Sequence, residues 1–266
     1  MTLIRSLALA SLLAIAALAP ARAQENYEIQ VYGSETMPVG TTMFELHSNY
    51  AFNGRRLVSA GVLPTNHALH ETIEITHGFT PWFELGTYLF TSAAENQGYN
   101  IVGSHIRPRV AVPESWNAPV GLSLSMEVGY QKRAYSEDTW NMELRPIIDK
   151  QVGAWYASFN PTLERSLRGE NAGIGFVFAP NAVVNRDITS LVNLGVEYYG
   201  GLGPIKAFDA RADQSHQLFG VVNLGFAEDW EFNAGVGFGL TDASEKRMVK
   251  LILGHRVGTA PEKAKK

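Results

Sequence analysis

The stretch VGLSLSMEVGY, residues 120–130, decides the fold because its side chains alternate between apolar and polar. One face carries only apolar side chains: Val120, Leu122, Leu124, Met126, Val128 and Tyr130. The intervening positions carry glycine, serine and Glu127. Successive side chains of a β-strand point to opposite sides, so this strand has one apolar and one polar surface. About ten such residues suffice for a tilted strand to cross a bilayer, whereas soluble strands average about five to six. The stretch therefore predicts a transmembrane β-strand.

Comparable segments recur along the whole chain. We place strands near 42–52, 67–78, 82–91, 101–112, 119–131, 138–149, 154–165, 173–185, 190–199, 215–226, 230–241 and 247–257. An even number is typical of single-chain barrels from Gram-negative bacteria. The sequence therefore predicts an all-β fold, an antiparallel up-and-down transmembrane β-barrel of about 12 strands occupying residues 42–257.

The N-terminus predicts export. Residues 1–23 contain an early charge at Arg5, an apolar run over 7–19 and the small-residue pattern Ala21-Arg22-Ala23, which together are typical of a cleaved signal peptide. We expect a mature chain that begins at Gln24 in the cell outer membrane, with an N-terminal periplasmic segment at 24–41 and a basic C-terminal tail at 258–266. The apolar run is too short for a spanning helix, and a chain that spans without helices must close into a barrel.

Composition and charge limit the partners. The sequence has no cysteine, so disulfides do not stabilise it in the oxidising periplasm. Removing Arg5 and Arg22 from the 22 Lys and Arg leaves 20, against 26 Asp and Glu that all follow Ala23, a mature net charge of −6. This balance argues against nucleic acid as a partner. The expected partners are outer-membrane lipid, the barrel-assembly machinery and a small solute.

The connections between predicted strands differ at the two ends of the barrel. Short ones at 78–82, 150–155, 186–191 and 227–230 fall on the periplasmic side, where Trp82, Trp155 and Trp230 are predicted as interface aromatics. Longer polar ones at 53–66, 92–100, 131–137, 166–172 and 200–214 fall on the opposite side. Short turns inside and long loops outside are typical of outer-membrane proteins.

Charged and histidine side chains occupy the face opposite the apolar one. An Arg or Lys facing lipid near the midplane costs roughly 2–4 kcal/mol, so these side chains must face the interior. The predicted lumen-lining residues are Glu45, His47, His70, Glu74, His105, Arg107, Arg109, Glu127, Glu143, Arg145, Asp149, Glu164, Glu197 and Glu231.

Two interpretations of these interior charges stay open. They either pair with one another as a packed polar core, or line a polar pore whose charges select a solute. A barrel of this size lies between those filled by side chains and those that leave a channel, so size does not decide. Pro108, Pro146, Pro161 and Pro180 interrupt predicted strands, where we expect local β-bulges.

Motifs that suggest catalysis or metal binding fail on geometry. The neighbours His47 and Ser48 suggest a membrane esterase, but adjacent residues of a strand face opposite ways. His47, His70 and His105 lack the regular spacing of metal ligands. The sequence therefore predicts no catalytic residue, no metal site and no cofactor, and the chain is not expected to be an enzyme.

Several stretches carry a resemblance to known proteins. YEIQVYGSETMPVGTTMFELHSNY (27–50) and TNHALHETIEITHGFTPWFELG (65–86), with HIRPRVAVPE, EVGYQKR, RPIIDK, FNPTLERS and WEFNAGVGFG further on, resemble a group of uncharacterised bacterial outer-membrane β-barrel proteins. That group is distantly similar to phenol-degradation MetA-pathway barrels. The resemblance implies a barrel in the outer membrane. One departure is the last strand, which ends near Val257 where such barrels commonly have an aromatic.

The expected function is passive. We predict an outer-membrane barrel for passage or binding of a small solute, and the resemblance suggests a hydrophobic one. The alternatives are a non-conducting structural or interaction barrel with a packed polar lumen, and, less favoured, a membrane esterase.

Overall fold

The computed structural model describes residues 27–259, which form a closed antiparallel barrel of twelve strands. They are β1 (Thr42–Asn53), β2 (Ala68–Thr80), β3 (Phe83–Ala94), β4 (Gly98–Ala111), β5 (Gly121–Gln131), β6 (Asp138–Val152), β7 (Trp155–Gly169), β8 (Val177–Asp187), β9 (Val192–Gly201), β10 (Ser215–Leu224), β11 (Trp230–Gly239) and β12 (Arg247–Val257). All twelve predicted strands are confirmed, with ends that differ by a few residues. Within 27–259, no helix is long and apolar enough to cross a membrane.

Each strand pairs with its neighbours in sequence, and β1 also pairs with β12. The closing register places Thr42 opposite Val257 and Tyr50 opposite Val249. Residues Gly203–Pro204, just after β9, form a brief additional pairing with β8. Within residues 27–259, closure gives every one of the twelve strands a partner on both sides, which is what a wall surrounded by lipid requires.

The apolar and polar positions that alternate in the sequence lie on the outer and inner faces of the barrel, respectively. On β5, Leu124 and Met126 are 46% and 40% exposed, whereas Ser125 and Glu127 between and beside them are buried. The same alternation surrounds the barrel with exposed aliphatic and aromatic side chains. A one-residue slip in register would exchange the two faces, so burial of the polar set fixes the pairing.

An arginine on the outer face tests whether that face meets lipid. We expect Met126→Arg, at the middle of β5, to lower the free energy of unfolding in lipid bilayers by roughly 2–4 kcal/mol. Leu122→Arg is the matched control on the same face near the strand end, where the cost falls to roughly 0–1 kcal/mol. Urea unfolding in vesicles measures both. Equal effects at the two depths would contradict a membrane around this face.

The two ends of the barrel are unequal. At the short-turn end, where β1 begins, the connections are 81–82, 112–120, 153–154, 188–191 and 225–229, and Trp82, Trp155 and Trp230 lie partly exposed there. At the long-loop end they are 54–67, 95–97, 132–137, 170–176, 202–214 and 240–246. The predicted loop 92–100 shrinks to a tight turn because Asn96 and Gly98 adopt left-handed backbone angles.

The expectation of bulges at the four prolines is wrong. Register shifts occur elsewhere, between Ala51 and Asn53, for example, and none falls at Pro108, Pro146, Pro161 or Pro180. Between β6 and β7 the pairing lapses from Leu144 to Ile148 and resumes in the same register. The sheet therefore absorbs the missing N–H groups as a local gap in the ladder, without inserting a residue.

The largest correction concerns the N-terminal segment. The described part of the predicted periplasmic segment 24–41 lies inside the barrel, where Tyr27, Ile29, Tyr32 and Ser34 are buried. Ile29 packs on Tyr199, Phe219 and Met248 of the inner wall, and Tyr27 packs on Tyr88 and Phe90. We call residues 27–40 the lumen segment. The signal peptide at 1–23, its cleavage before Gln24 and nearly all of the C-terminal tail lie outside the described residues.

Candidate functional site

The lumen segment is anchored in the barrel through Tyr32. Its backbone N–H donates to Asn160 Oδ1 over 2.9 Å, and its carbonyl accepts hydrogen bonds from Ser158 and Asn160. Two guanidinium groups lie close to the ring, with Arg107 4.7 Å and Arg145 4.6 Å from its centre, and Arg109 lies further away at 5.8 Å. A cation over an aromatic face is strongly attracted when water is excluded, so the ring and the two arginines hold each other in place.

Arg107 is the centre of a buried ion network. It is 2% exposed, and its guanidinium reaches Glu74 Oε1 over 2.6 Å and Glu84 Oε1 over 3.1 Å. It also donates through Nε to the hydroxyl of Tyr88. Residues of β2, β3 and β4 form this network. Arg107 lies opposite Gly86, and because glycine has no side chain there is space for the guanidinium.

Further contacts fix the lumen segment near the short-turn end. Arg109 donates to the carbonyls of Gly33 and Glu35 over 2.9 and 2.6 Å, and pairs with Glu84 Oε1 over 2.8 Å. On the other side Asp149 accepts from both the backbone N–H and the hydroxyl of Ser34. Backbone groups of the segment are thus satisfied by the barrel wall, as burial requires.

A second buried cation holds the segment further along. The ammonium of Lys250 lies 2.5 Å from Glu197 Oε2 and donates to the carbonyl of Ile29 over 3.0 Å. Tyr199 also donates to Glu197, over 2.7 Å. His70 of β2 makes an edge-to-face contact with the ring of Tyr27. The segment therefore contacts nearly the whole inner circumference.

Glutamates of three neighbouring strands form a row above the Arg107 network. Glu127 of β5 lies opposite Glu143 of β6, which lies opposite Glu164 of β7. Like charges directly opposite each other are unfavourable, so positive partners are needed. Arg145 provides one, 2.6 Å from Glu143, and His105 contacts Glu127 over 2.5 Å.

A cavity of about 240 Å³ lies between this row and the loops of the long-loop end. Tyr27 and Glu28 of the lumen segment line it, together with the three glutamates of the row. Its rim is formed by parts of loops 54–67 and 132–137. Partial burial raises the pKa of Tyr135 on that rim, so the phenol stays neutral. The cavity has room for a small solute and ends at the lumen segment.

Carboxylates outnumber basic side chains on the described inner surface. The acidic groups include Glu28, Glu45, Glu74, Glu84, Glu127, Glu143, Asp149, Glu164, Glu197 and Glu231, and the basic ones include Arg107, Arg109, Arg145 and Lys250. The cavity is also lined by Arg55 and Arg165 and by Glu137, Asp138 and Glu245. Such an excess, enclosed by a wall of low dielectric, attracts cations.

The structure places all fourteen predicted lumen-lining residues on the inner face, either buried or partly buried. His47 and Ser48 lie on opposite faces of β1. The three histidines contact different residues: His47 contacts Glu74, His70 contacts Tyr27 and His105 contacts Glu127. The sequence analysis missed Glu28, Tyr32 and Tyr88. Residues 27–32 carry aromatic and aliphatic side chains that are too apolar for a segment exposed to water. This pattern could have indicated that the segment is buried.

No family model and no curated protein matches the chain. Among solved structures, it is similar to a COG4313 outer membrane channel from Pseudomonas putida F1, with a TM-score of 0.57 and 12% identity, over 86% of this chain and 100% of that one. It is also similar to the NanC porin (TM-score 0.54, 9% identity, 81% of this chain and 99% of that one) and to the KdgM porin (0.51, 9%, 80% and 98%).

These likenesses define the class of fold. The chain has the all-β barrel fold of bacterial outer-membrane channels. At identities of 9–12%, these comparisons establish the fold alone. The similarity between this chain and the COG4313 channel covers the full length of that channel.

Proposed function

We propose that this chain is an outer-membrane channel for passive passage of a small polar solute, with a preference for cations. The cavity of about 240 Å³ carries the proposal, because it lies inside the barrel and its wall includes Glu127, Glu143 and Glu164. Carboxylates lining a pore favour cations over anions. The shared fold with three solved channels supports the same function.

We also propose that the chain is exported through a cleaved signal peptide and that the barrel-assembly machinery inserts it into the outer membrane. The apolar exterior of the barrel agrees with this location. The distant similarity to the phenol-degradation MetA-pathway barrels suggested a hydrophobic solute. The charged lining of the cavity supports a polar one instead, because an apolar solute would displace the water that solvates these carboxylates.

Ion selectivity in planar bilayers tests the proposal. Under a salt gradient we expect discrete current steps from the mature protein and a reversal potential of the sign that denotes cation preference. Glu164→Gln should shift the reversal potential toward zero, because it removes one negative charge from the cavity wall. Glu114→Gln, at an exposed position on loop 112–120, is the matched control and should leave the potential unchanged.

A non-conducting barrel is the second candidate, favoured by the lumen segment and the buried Arg107 network that fill the middle of the barrel. Folded protein that gives no current steps, both whole and without its lumen segment, would support this candidate and contradict a channel. Anion preference would contradict only the proposed selectivity.

A further inference from the structure

Acidic side chains and one histidine converge inside the wall where the barrel closes. Glu45 and His47 lie two residues apart on the inner face of β1, and Glu74 of β2 lies directly opposite Glu45. On the other flank Glu45 faces Gly254 of β12, which in turn faces Glu231 of β11. A side chain at Gly254 would crowd both glutamates, since a Cβ there would lie 3.0 Å from Glu45 Cγ and 3.1 Å from Glu231 Cβ.

The distances among Glu45, His47 and Glu74 suit a metal ion. One ligand atom from each lies within 4.8 Å of the other two. His47 Nε2 and Glu74 Oε2 are 3.3 Å apart, although they are not aligned for a hydrogen bond. Two ligands bound at about 2.0–2.2 Å in a tetrahedral arrangement are separated by nearly that distance. Small side-chain movements would bring Glu45 into the same coordination sphere.

The surroundings of Glu74 leave one of its oxygens for a ligand. Oε1 accepts hydrogen bonds from Arg107, Thr76 and Tyr88 over 2.6, 2.7 and 3.1 Å. Oε2 is buried and accepts no hydrogen bond. A carboxylate held through one oxygen while the other binds a metal is the usual outer-shell arrangement of metal sites.

His47 points to the same conclusion independently. Its ring is fully buried, and neither ring nitrogen has a hydrogen-bond partner. Two acceptors, a neutral imidazole nitrogen and a carboxylate oxygen, repel each other at 3.3 Å unless a cation or a proton lies between them. Buried polar atoms without partners are costly in folded proteins, and what distinguishes His47 from the equally buried His70 is the carboxylate of Glu74 at 3.3 Å, so a metal ion between the two groups would offset this cost.

The charge around the cluster also favours a cation. Among residues 27–259, no Lys or Arg forms an ion pair with Glu45 or Glu231, and the guanidinium of Arg107 approaches Glu74 on Oε1, its other oxygen. Burying carboxylates without a positive partner is strongly unfavourable. A divalent ion among them would offset this cost.

We propose that Glu45, His47 and Glu74 bind a divalent transition-metal ion of the Zn²⁺ type. One imidazole and two carboxylates provide the three protein ligands of an open tetrahedral site, and imidazole favours Zn²⁺ over Mg²⁺ or Ca²⁺. The ion joins β1 to β2 beside the β1–β12 seam that closes the barrel. It therefore stabilises closure, whether or not the barrel conducts.

Metal binding by the tag-free mature protein, refolded after treatment with a chelator, tests the site. We expect one equivalent of Zn²⁺ to bind and to raise the thermal unfolding midpoint relative to protein in EDTA, because the ion binds the folded state. His47→Gln and Glu45→Gln should weaken Zn²⁺ binding at least about tenfold. His70→Gln, a buried histidine of β2 outside the cluster, is the matched control and should bind Zn²⁺ like the unchanged protein.

Two results would overturn the proposal. If folded wild-type protein binds no Zn²⁺ at micromolar concentration, a proton and not a metal ion lies between His47 and Glu74. If His47→Gln and His70→Gln bind Zn²⁺ equally, the ion lies elsewhere. Gel mobility without boiling reports whether each variant is folded. Should the cluster variants fail to fold, anomalous diffraction from Zn²⁺-loaded wild-type crystals decides, since the peak must lie between these three side chains.

Discussion

Arg107→Ala is expected to lower the free energy of unfolding by about 3–5 kcal/mol, because the substitution removes the guanidinium from the buried carboxylate of Glu74 and leaves Glu84 with one guanidinium, that of Arg109, in place of two. Glu74 and Glu84 both contact this guanidinium, and each is almost completely buried. The ring of Tyr32 would lose one of its three cationic neighbours at the same time. The loss therefore affects both the wall and the lumen segment. Urea midpoints of the refolded barrel measure it.

Arg133→Ala provides the matched control for Arg107. Arg133 pairs with Glu170 at the long-loop end, where both side chains are largely exposed to solvent. An exposed pair of this kind contributes about 0–1 kcal/mol, because water and salt screen it. If the two alanine variants unfold at the same urea concentration, the interior around Arg107 is wet and screened, and the packed network at the middle of the barrel is disproved.

Deleting residues 24–37 is expected to raise single-channel conductance several-fold. The lumen segment fills the barrel below the cavity, and its removal opens the space between Tyr88, Asn160 and Tyr199 to water. The inner wall that remains is polar, so the opened path can hydrate. Planar-bilayer recordings of the mature and shortened proteins at equal salt measure the change.

Fixing the lumen segment is the converse experiment. Ser34 and Asp149 contact each other over 2.7 Å, and the chain has no native cysteine. Ser34→Cys with Asp149→Cys, joined by a short thiol crosslinker, should keep conductance at or below that of the mature protein, and cleaving the crosslink should restore it. Equal conductance of the shortened and mature proteins would show that the segment does not obstruct a path.

The sequence predicted the wall of the barrel well because the wall obeys local rules. In β5, strict alternation from Leu122 to Glu127 indicated both the strand and its facing, and the structure confirms both. The inward positions of Arg107 and Glu74 follow from the same period of two. The error at Pro108 and Pro146 arose because a missing N–H was assumed to require an inserted residue, whereas cooperative pairing on either side preserves the register.

The sequence could not predict what fills the barrel. Residues 27–40 have no period that relates them to the strands, and their position depends on contacts far away in the chain, such as Tyr32 with Asn160 or Ser34 with Asp149. The convergence of Glu45, His47 and Glu74 likewise depends on the register of β1 with β2, which alternation alone restricts only to every second residue.

The sequence by itself therefore determined the strands, their facing and the excess of acidic over basic residues after Ala23, because each follows from residue type and spacing. Only the tertiary structure decided that the N-terminal segment enters the lumen, that the interior charges form a packed network below an open cavity, and which side chains meet at the closing seam. Those features result from closure, which brings together side chains that are distant in sequence and excludes the water that would otherwise separate their charges.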